Sequence, residues 1–212
     1  MNKDTFLHMP SFETKRLKIR PFEKSDFNSY IHWHNHGDIV YYAEGLYNFK
    51  SNNQQEFEKF FLQRVPRMYK TKESGIWCIA KKSNNISIGL IEICKFDSYS
   101  NTAQIHFCIS NKQRCKGYMT EAVKCMLDWC FSIIGLNRIY TFVSDKNIAS
   151  SKVLLKCGFI LEGIMRQSNA NKYTKTGDEI KNTKKDSSFI DQKEYRNDCI
   201  YAILKKEYKS II

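Results

Sequence analysis

The feature that most constrains this chain is residues 112–135, where a basic loop and a glycine lead into an amphipathic helix. From Met119 onward the apolar side chains recur in alternating steps of three and four, which places them on one helical face. Gly135 follows the last of them and suits the left-handed residue that ends many helices. A helix N-terminus attracts anions through its unpaired N–H groups and its dipole. The loop Lys112–Lys116 with Gly117 therefore predicts a site for a phosphorylated ligand.

Length and composition indicate an ordinary globular protein. Of the 212 residues, 42% are hydrophobic and 26% are charged, so the chain can bury a large core and does not resemble a disordered protein. The N-terminus lacks the apolar segment of a signal peptide, and no apolar run approaches the ~20 residues that span a bilayer. We therefore expect a single domain over residues 1–212, no membrane partner and a cytoplasmic location.

The net charge of +12 and the eight cysteines are the two unusual totals. The lysines are spread along the chain without a dense basic run or interleaved aromatic residues, which argues against a nucleic-acid partner. The cysteines form no Cys-x-x-Cys pair, and most of them lie inside apolar strand or helix patterns. They are expected to be reduced, buried thiols, and no metal is expected.

The order of predicted elements is β-α-α-β-β-β-α-β-α-β-β, a mixed α+β domain around a largely antiparallel sheet with parallel pairing in the middle. Residues 1–13 are predicted to be a flexible lead-in, and residues 168–196, rich in Asn, Lys, Thr, Asp and Ser, a mobile insertion between the last two strands. The predicted strands are 16–20, 76–82, 86–94, 102–109, 138–144, 159–165 and 199–204. The predicted helices are 25–37, 53–65 with Pro66 after it, 119–134 and 147–157.

Three stretches in this order resemble the GCN5-related N-acetyltransferases (GNAT), and within them the ribosomal-protein N-terminal acetyltransferase type. The first is Glu13–Phe22 together with Asp26. The second, Arg114–Ala122, is similar to the acetyl-CoA signature of the family, Arg or Gln, two residues, Gly, one residue, then Gly or Ala. The third runs from Asn147 through Lys156–Phe159 and resembles the second cofactor motif. Together these stretches span roughly residues 14 to 166.

The resemblance implies the GNAT fold, a twisted and mostly antiparallel sheet of six to seven strands, splayed in the middle and flanked by about four helices. It also implies a reaction in which an amine, either a protein N-terminal α-amine or a small-molecule amine, attacks acetyl-CoA directly in a ternary complex. Pyrophosphate would bind at the turn before the central helix, and pantetheine would run between the splayed strands. The implied cofactor contacts are Phe107, Cys108, Ile109, Arg114, Cys115, Lys116, Gly117, Tyr118, Met119, Thr120, Asn147, Ser150 and Lys152.

The catalytic assignment departs from the family pattern at two positions. Gln104 stands where a glutamate is common, and Leu154 where some members have a general-acid tyrosine. Glutamine cannot act as a base, although Gln104 could orient an amine or a water, so the base is another residue, a relayed water, or absent. Glu92 and then His106 are the candidate bases, and either could also be an ordinary strand residue. Asn147 is grouped with both the catalytic and the cofactor-contacting residues, yet asparagine at a helix start is also a common N-cap.

The acceptor side is less defined. By position in the family, Trp33, Tyr41 and Tyr42 are expected to line the acceptor pocket. The run His32–His36 looks like a metal cluster, but histidines two residues apart do not face one another on a helix, so coordination shared by all three would need a strand or a loop. Two other functions stay open at this point: an acyl-CoA-binding module without transferase activity, and a basic RNA- or ribosome-associated protein. Family members are often dimers, so a homodimer is a further expectation.

Overall fold

The computed structural model describes residues 6–34, 53–170 and 195–208. They form one eight-stranded sheet in the order β1-β2-β3-β4-β5-β6-β8-β7, with helices on both faces. This confirms the mixed α/β fold that the resemblance implies. The sheet has one strand more than the upper prediction because a two-residue strand, Phe12–Glu13, pairs with the strand that follows it.

The strands follow the predicted pattern closely. Two of them, β5 and β6, have the predicted bounds. All neighbouring strands pair antiparallel except β5 and β6, which are parallel. The strands are β1 (Phe12–Glu13), β2 (Leu17–Arg20), β3 (Ser74–Lys81), β4 (Ser87–Asp97), β5 (Thr102–Ile109), β6 (Arg138–Ser144), β7 (Ile160–Ala170) and β8 (Tyr195–Leu204).

Four helical segments are described. They are α1 (Phe27–His34), α2 (Gln54–Phe57, continuing as a π-helical stretch Glu58–Arg64 and then Val65–Lys70), α3 (Tyr118–Asp128, continuing as a π-helical stretch Trp129–Ile134) and α4 (Ile148–Lys156). The prediction that Pro66 follows the end of α2 was wrong. Proline has no N–H to donate, and the π-helical turn before it shifts the hydrogen-bonding register, so the helix continues past Pro66.

Alternation along β3, β4 and β5 divides the core between the two faces of the sheet. One face carries Trp77, Ile91 and Ile105 and packs against the apolar side of α3. The other carries Ile76, Cys78 and Leu90 and packs against the aromatic residues of α1 and α2. The side chains of Glu92, Cys94, Gln104 and His106 alternate with the first set and point to this second face. These four polar residues therefore lie on the side of the sheet that α1 and α2 cover.

The two parallel strands separate in the middle of the sheet. Their pairing covers only Thr102–Gln104 of β5 and Arg138–Tyr140 of β6, and no pairs follow. The prediction that the end of β5 splays from β6 is therefore confirmed. The separation leaves one backbone edge of β5 facing an open cleft.

The structure describes parts of the two segments that were predicted to be irregular. Residues 6–13 pack on the domain: the Phe6 ring lies 5.2 Å from that of Tyr69, and Trp77 Nε1 donates to Pro10 O at 2.8 Å. Residues 168–170 belong to β7 and 195–196 to β8, and residues 1–5 and 171–194 lie outside the described residues. Within the described ranges, no helix has the length and apolar character needed to cross a bilayer.

Candidate active site

A cleft of about 850 Å³ opens where β5 and β6 separate, between the turn before α3 and the start of α4. It brings together most of the residues that the sequence and the family resemblance placed at the cofactor and at the reacting centre. The predicted residues that line it are Gln104, His106, Phe107, Cys108, Ile109, Arg114, Cys115, Gly117, Tyr118, Met119, Thr120, Asn147, Ser150 and Lys152.

The turn before α3, residues 111–117, has the conformation expected of an anion site; we call it the phosphate turn. A single 3₁₀ turn, Asn111–Gln113, is followed by left-handed residues at Cys115 (φ 59°) and Gly117 (φ 79°). Gly117 is the N-cap of α3, and no side chain caps the helix. The first-turn N–H groups are therefore left to an external acceptor, and they fit a pyrophosphate.

The basic side chains near this turn do not all face the cleft. Arg114 and, from α4, Lys152 line the cleft. Lys116 does not, because its ammonium donates to Lys112 O at 2.8 Å. The structure thus supports only the main chain of Lys116, and not its charge, as a phosphate contact.

The backbone of β5 presents alternate residues to the cleft. Ser110 N–H donates to Ile88 O of β4 at 2.8 Å. Since antiparallel strands bond to a given neighbour at every second residue, Cys108 also faces β4, whereas Phe107 and Ile109 direct their N–H and C=O groups to the open edge. Of the three predicted pantetheine contacts, the backbones of Phe107 and Ile109 are thus the available ones.

Asn147 begins α4 as an N-cap. Its Oδ1 accepts the Ser150 N–H at 3.2 Å, and both residues line the cleft. The side-chain oxygen is therefore engaged by the helix. The Nδ2 donors and the second lone pair of Oδ1 are left for a contact with a ligand.

The predicted candidate bases, Glu92 and His106, are in contact. They are opposite each other on β4 and β5, and His106 Nδ1 lies 3.1 Å from Glu92 Oε2. Glu92 is 3% exposed, and its other oxygen accepts from Ser74 Oγ at 2.5 Å. Because the carboxylate accepts at Nδ1, that nitrogen carries the ring proton, and Nε2 is left as the acceptor of a histidine that lines the cleft.

Gln104 lies beside this pair, two residues before His106 on the same face of β5. It is 3% exposed and lines the cleft, and its Oε1 is buried without a hydrogen-bond partner among the described residues. A buried amide oxygen without a partner is unfavourable unless a ligand supplies a donor. Leu154, at the position of the family tyrosine, is fully buried in the core and takes no part in the site.

Glu92, Cys94 and His106 could in principle hold a cation, because their ligand atoms all lie within 4.8 Å of one another. Hydrogen bonding already accounts for the arrangement, since both Glu92 oxygens have donors. Burial raises the pKa of the Cys94 thiol, which disfavours its thiolate form. Of the histidines in α1, His34 is buried and stacked on Tyr30, whereas His32 approaches Lys112 at 3.3 Å, so the two do not converge.

The residues predicted for the acceptor side stay a prediction. Trp33 is 3% exposed in the aromatic cluster of α1 and α2 and is not among the described residues that line the cleft. Tyr41 and Tyr42 lie outside the described residues. Sequence reasoning missed the contribution of β7 and β8, from which Asn169, Arg196 and Asp198 reach the cleft. These residues were predicted to lie in or beside an insertion, and no sequence pattern there indicated that they line the cleft.

The Asp198 carboxylate is the centre of a polar network at this end of the cleft. It is 3% exposed and accepts hydrogen bonds from Ser168 Oγ, at 2.9 Å, and from Asn169 Nδ2. Arg196 Nε lies 3.5 Å from its other oxygen. The network joins the last residues of β7 to the first residues of β8. These two strands flank residues 171–194.

Comparison with known proteins agrees with this geometry. The family description "Acetyltransferase (GNAT) domain" matches residues 16–160. The uncharacterized N-acetyltransferase YoaA of Bacillus subtilis is 28% identical over 158 residues, which cover 74% of this chain and 87% of that protein. Spermidine N(1)-acetyltransferase of Escherichia coli is 26% identical over 157 residues, 73% of this chain and 77% of that protein.

A solved structure adds evidence for the fold. The ribosomal-protein α-N-acetyltransferase RimL, in complex with coenzyme A, superposes with a TM-score of 0.71 at 15% identity and covers 92% of this chain and 98% of its own. At that identity the likeness concerns the fold alone. The family match, the splayed strands and the uncapped phosphate turn agree, and the chain belongs to the GNAT family as an N-acetyltransferase that uses acetyl-CoA.

Proposed function

We propose that the protein transfers the acetyl group of acetyl-CoA to a primary amine, which attacks the thioester carbon directly while both substrates are bound. The new C–N bond replaces the C–S bond, and coenzyme A leaves as a thiolate that takes up a proton. The observation that carries this proposal is that one cleft is lined both by an uncapped phosphate turn and by the imidazole of His106, which the buried carboxylate of Glu92 contacts from behind. The first feature suits the diphosphate of the donor, and the second suits removal of a proton from the attacking amine.

Acetyl-CoA supplies an activated acetyl group, and the chain supplies orientation. The N–H groups at the start of α3 would hold the diphosphate, with Arg114 and Lys152 adding charge. The open backbone edge at Phe107 and Ile109 would pair with the amide groups of pantetheine as a strand pairs with its neighbour. The Phe107 N–H is then the donor best placed to bind the thioester oxygen as charge develops on it.

The base in this proposal is His106, with Glu92 as its positioning partner. The Glu92 carboxylate fixes the ring through Nδ1, and Ser74 fixes the carboxylate. Nε2 is then free to take a proton from an ammonium or from a relayed water, as a general base must. The Gln104 oxygen, which has no donor among the described residues, would accept an N–H of the amine and orient it.

The acceptor is a protein N-terminal α-amine or a small polyamine-like amine. Similar proteins point both ways, since one acts on spermidine and another on a ribosomal protein by their names. A polycation such as a polyamine would favour an acidic surface. This chain instead has a net charge of +12, and Asp198 at the cleft is paired with Arg196. The site is therefore better suited to an amine carried on a neutral or acidic molecule, for which a protein N-terminus is the leading class.

The proposal is tested by steady-state acetyl transfer to two panels of acceptors. One panel contains peptides with free N-termini, with N-acetylated peptides of the same sequences as controls, and the other contains spermidine, spermine and monoamines. Turnover with free but not blocked peptides is the expected result. Turnover confined to the polyamines would overturn the peptide assignment, and no turnover with either panel despite acetyl-CoA binding would contradict the proposed acceptor class altogether.

A further inference from the structure

The stretch Thr14–Arg16 belongs to the first family-like segment, yet it has no part in the chemistry described above. We propose that Thr14, Arg16 and Glu121 form a clamp that holds the phosphate turn in its anion-binding conformation. They are positioning residues for acetyl-CoA, and the inference rests on the proposed binding of the diphosphate at this turn. None of the three lines the cleft among the described residues.

Glu121, in the first turn of α3, is bound by the segment before β2 through both carboxylate oxygens. Oε1 accepts from Thr14 Oγ1 at 2.6 Å and from the Arg16 backbone N–H at 2.9 Å. Oε2 accepts from Arg16 Nε at 2.7 Å. These three bonds join parts of the chain that are more than 100 residues apart in sequence.

The other side of the Arg16 guanidinium contacts the turn itself. Nη1 donates to Lys116 O at 2.8 Å, and the guanidinium carbon lies 4.5 Å from the centre of the Tyr118 ring. A β-carbon added to Gly117 would lie 3.3 Å from Nη2. Arg16 therefore touches three consecutive residues, from the last one of the loop to the first one of the helix.

The turn requires such support because its conformation is locally unfavourable. Cys115 adopts a left-handed φ of 59°, although its β-carbon disfavours that region. A planar guanidinium has donors in a fixed fork and can bind a carboxylate on one edge and a carbonyl on another, whereas a lysine ammonium is a single compact charge on a flexible stem. The clamp thereby orients the carbonyl of Lys116 away from the cleft and leaves the next N–H groups directed toward the diphosphate.

The direction in which one substitution changes acetyl-CoA affinity distinguishes the clamp from a purely electrostatic effect. Glu121 is a negative charge beside a turn that would bind a polyanion, so its neutralisation should strengthen binding if charge alone mattered. If Glu121 acts by holding Arg16, its loss should weaken binding instead. The two explanations thus predict opposite changes for Glu121→Gln.

The experiment measures binding of acetyl-CoA by calorimetry, and transfer from acetyl-CoA and from S-acetylpantetheine, which has no diphosphate. We expect Arg16→Met and Glu121→Gln to raise the Kd of acetyl-CoA about tenfold, the effect of losing a charge-assisted contact. The kcat at saturating acetyl-CoA should stay near that of the wild type, and kcat/KM for acetylpantetheine should not change. Arg16→Lys should recover only part of the loss.

The matched control is Lys82→Met, which breaks the exposed Lys82–Glu13 ion pair near the same N-terminal segment without touching the turn. It should bind acetyl-CoA like the wild type. Wild-type affinity in Arg16→Met, tighter binding in Glu121→Gln, or equal losses with both donors would each overturn the clamp. Failure of the wild type to bind acetyl-CoA would instead contradict the proposed function, so the two failures are distinct.

Discussion

His106 Nδ1 lies 3.1 Å from Glu92 Oε2, so a buried carboxylate orients an imidazole that lines the cleft. Fourteen residues separate the two in sequence, and the antiparallel register of β4 and β5 places them directly opposite each other. A third group, Ser74 Oγ, holds the far oxygen of the carboxylate. The general base that we propose at His106 requires this order of contacts.

His106→Ala is expected to lower kcat about a hundredfold, because general-base catalysis typically contributes factors of 10²–10⁴. Imidazole added to the buffer should restore part of the rate. Glu92→Gln should lower kcat less, with retained acetyl-CoA affinity. Wild-type kcat in His106→Ala would show that the amine loses its proton elsewhere.

Gln104→Met tests whether the buried amide oxygen binds the acceptor. Methionine fills a similar volume but offers no strong acceptor, so the KM of the amine should rise about tenfold, the factor for one lost hydrogen bond. The Kd of acetyl-CoA should not change. The free energy of unfolding, measured in urea, should stay equal or rise by about 1 kcal/mol because an unpaired buried group is removed. An unchanged KM would place the amine away from this oxygen.

Gly117→Ala and its control Gly135→Ala change two glycines that have the same backbone conformation. Gly117 and Gly135 both have a φ of 79°, so a β-carbon should destabilise either variant by about 1–2 kcal/mol. Only Gly117 lies in the phosphate turn, and a β-carbon on Gly135 would meet nothing within 4 Å. Weaker acetyl-CoA binding is therefore expected for Gly117→Ala alone. If Gly135→Ala weakened binding equally, global destabilisation would be the cause.

Alkylation by iodoacetamide, followed by peptide mass spectrometry, tests the position of the cofactor. Cys115 is the one exposed thiol of the eight, all of which lie among the described residues, so it should react first. Burial raises the pKa of the Cys108 thiol to about 12, which keeps it largely protonated and slow at pH 8. Saturating acetyl-CoA should protect Cys115. Equal labelling with and without acetyl-CoA would argue against a diphosphate at this turn.

The Glu121 carboxylate gives a pH dependence of stability. Burial opposes its ionisation, but hydrogen bonds from Thr14 and Arg16 outweigh this and hold the pKa of Glu121 below its ordinary value. A carboxyl group whose pKa is lower in the folded than in the unfolded protein contributes its full stabilisation at pH values above the unfolded-state pKa. This contribution is lost as the pH falls through the folded-state pKa. Glu121→Gln should therefore reduce the free energy of unfolding at pH 7 by about 1 kcal/mol or less, because Arg16 is partly exposed. The difference should shrink with acidification, and a constant difference would contradict it.

The sequence alone predicted the features that depend on neighbouring residues. The apolar spacing of α3 and Gly135 after it are local signals, and the structure has the helix and its left-handed C-terminal residue where they indicated. The left-handed φ of Gly117 was not predicted, although this glycine does precede the helix as the sequence showed. Strand alternation likewise predicted β5 and β6 with the bounds observed. Pro66 shows where a local rule fails, since a π-helical turn accommodates the missing N–H.

Only the tertiary structure decided which side chains meet. The sequence named Glu92 and His106 as alternatives, and the register of two strands made them one unit with Ser74. Nothing in the first strand indicated that Arg16 would reach Lys116 and Glu121, since that contact depends on how α3 packs over β2. Local propensity follows from the backbone and side chain of each residue, whereas these contacts depend on the packing of whole elements.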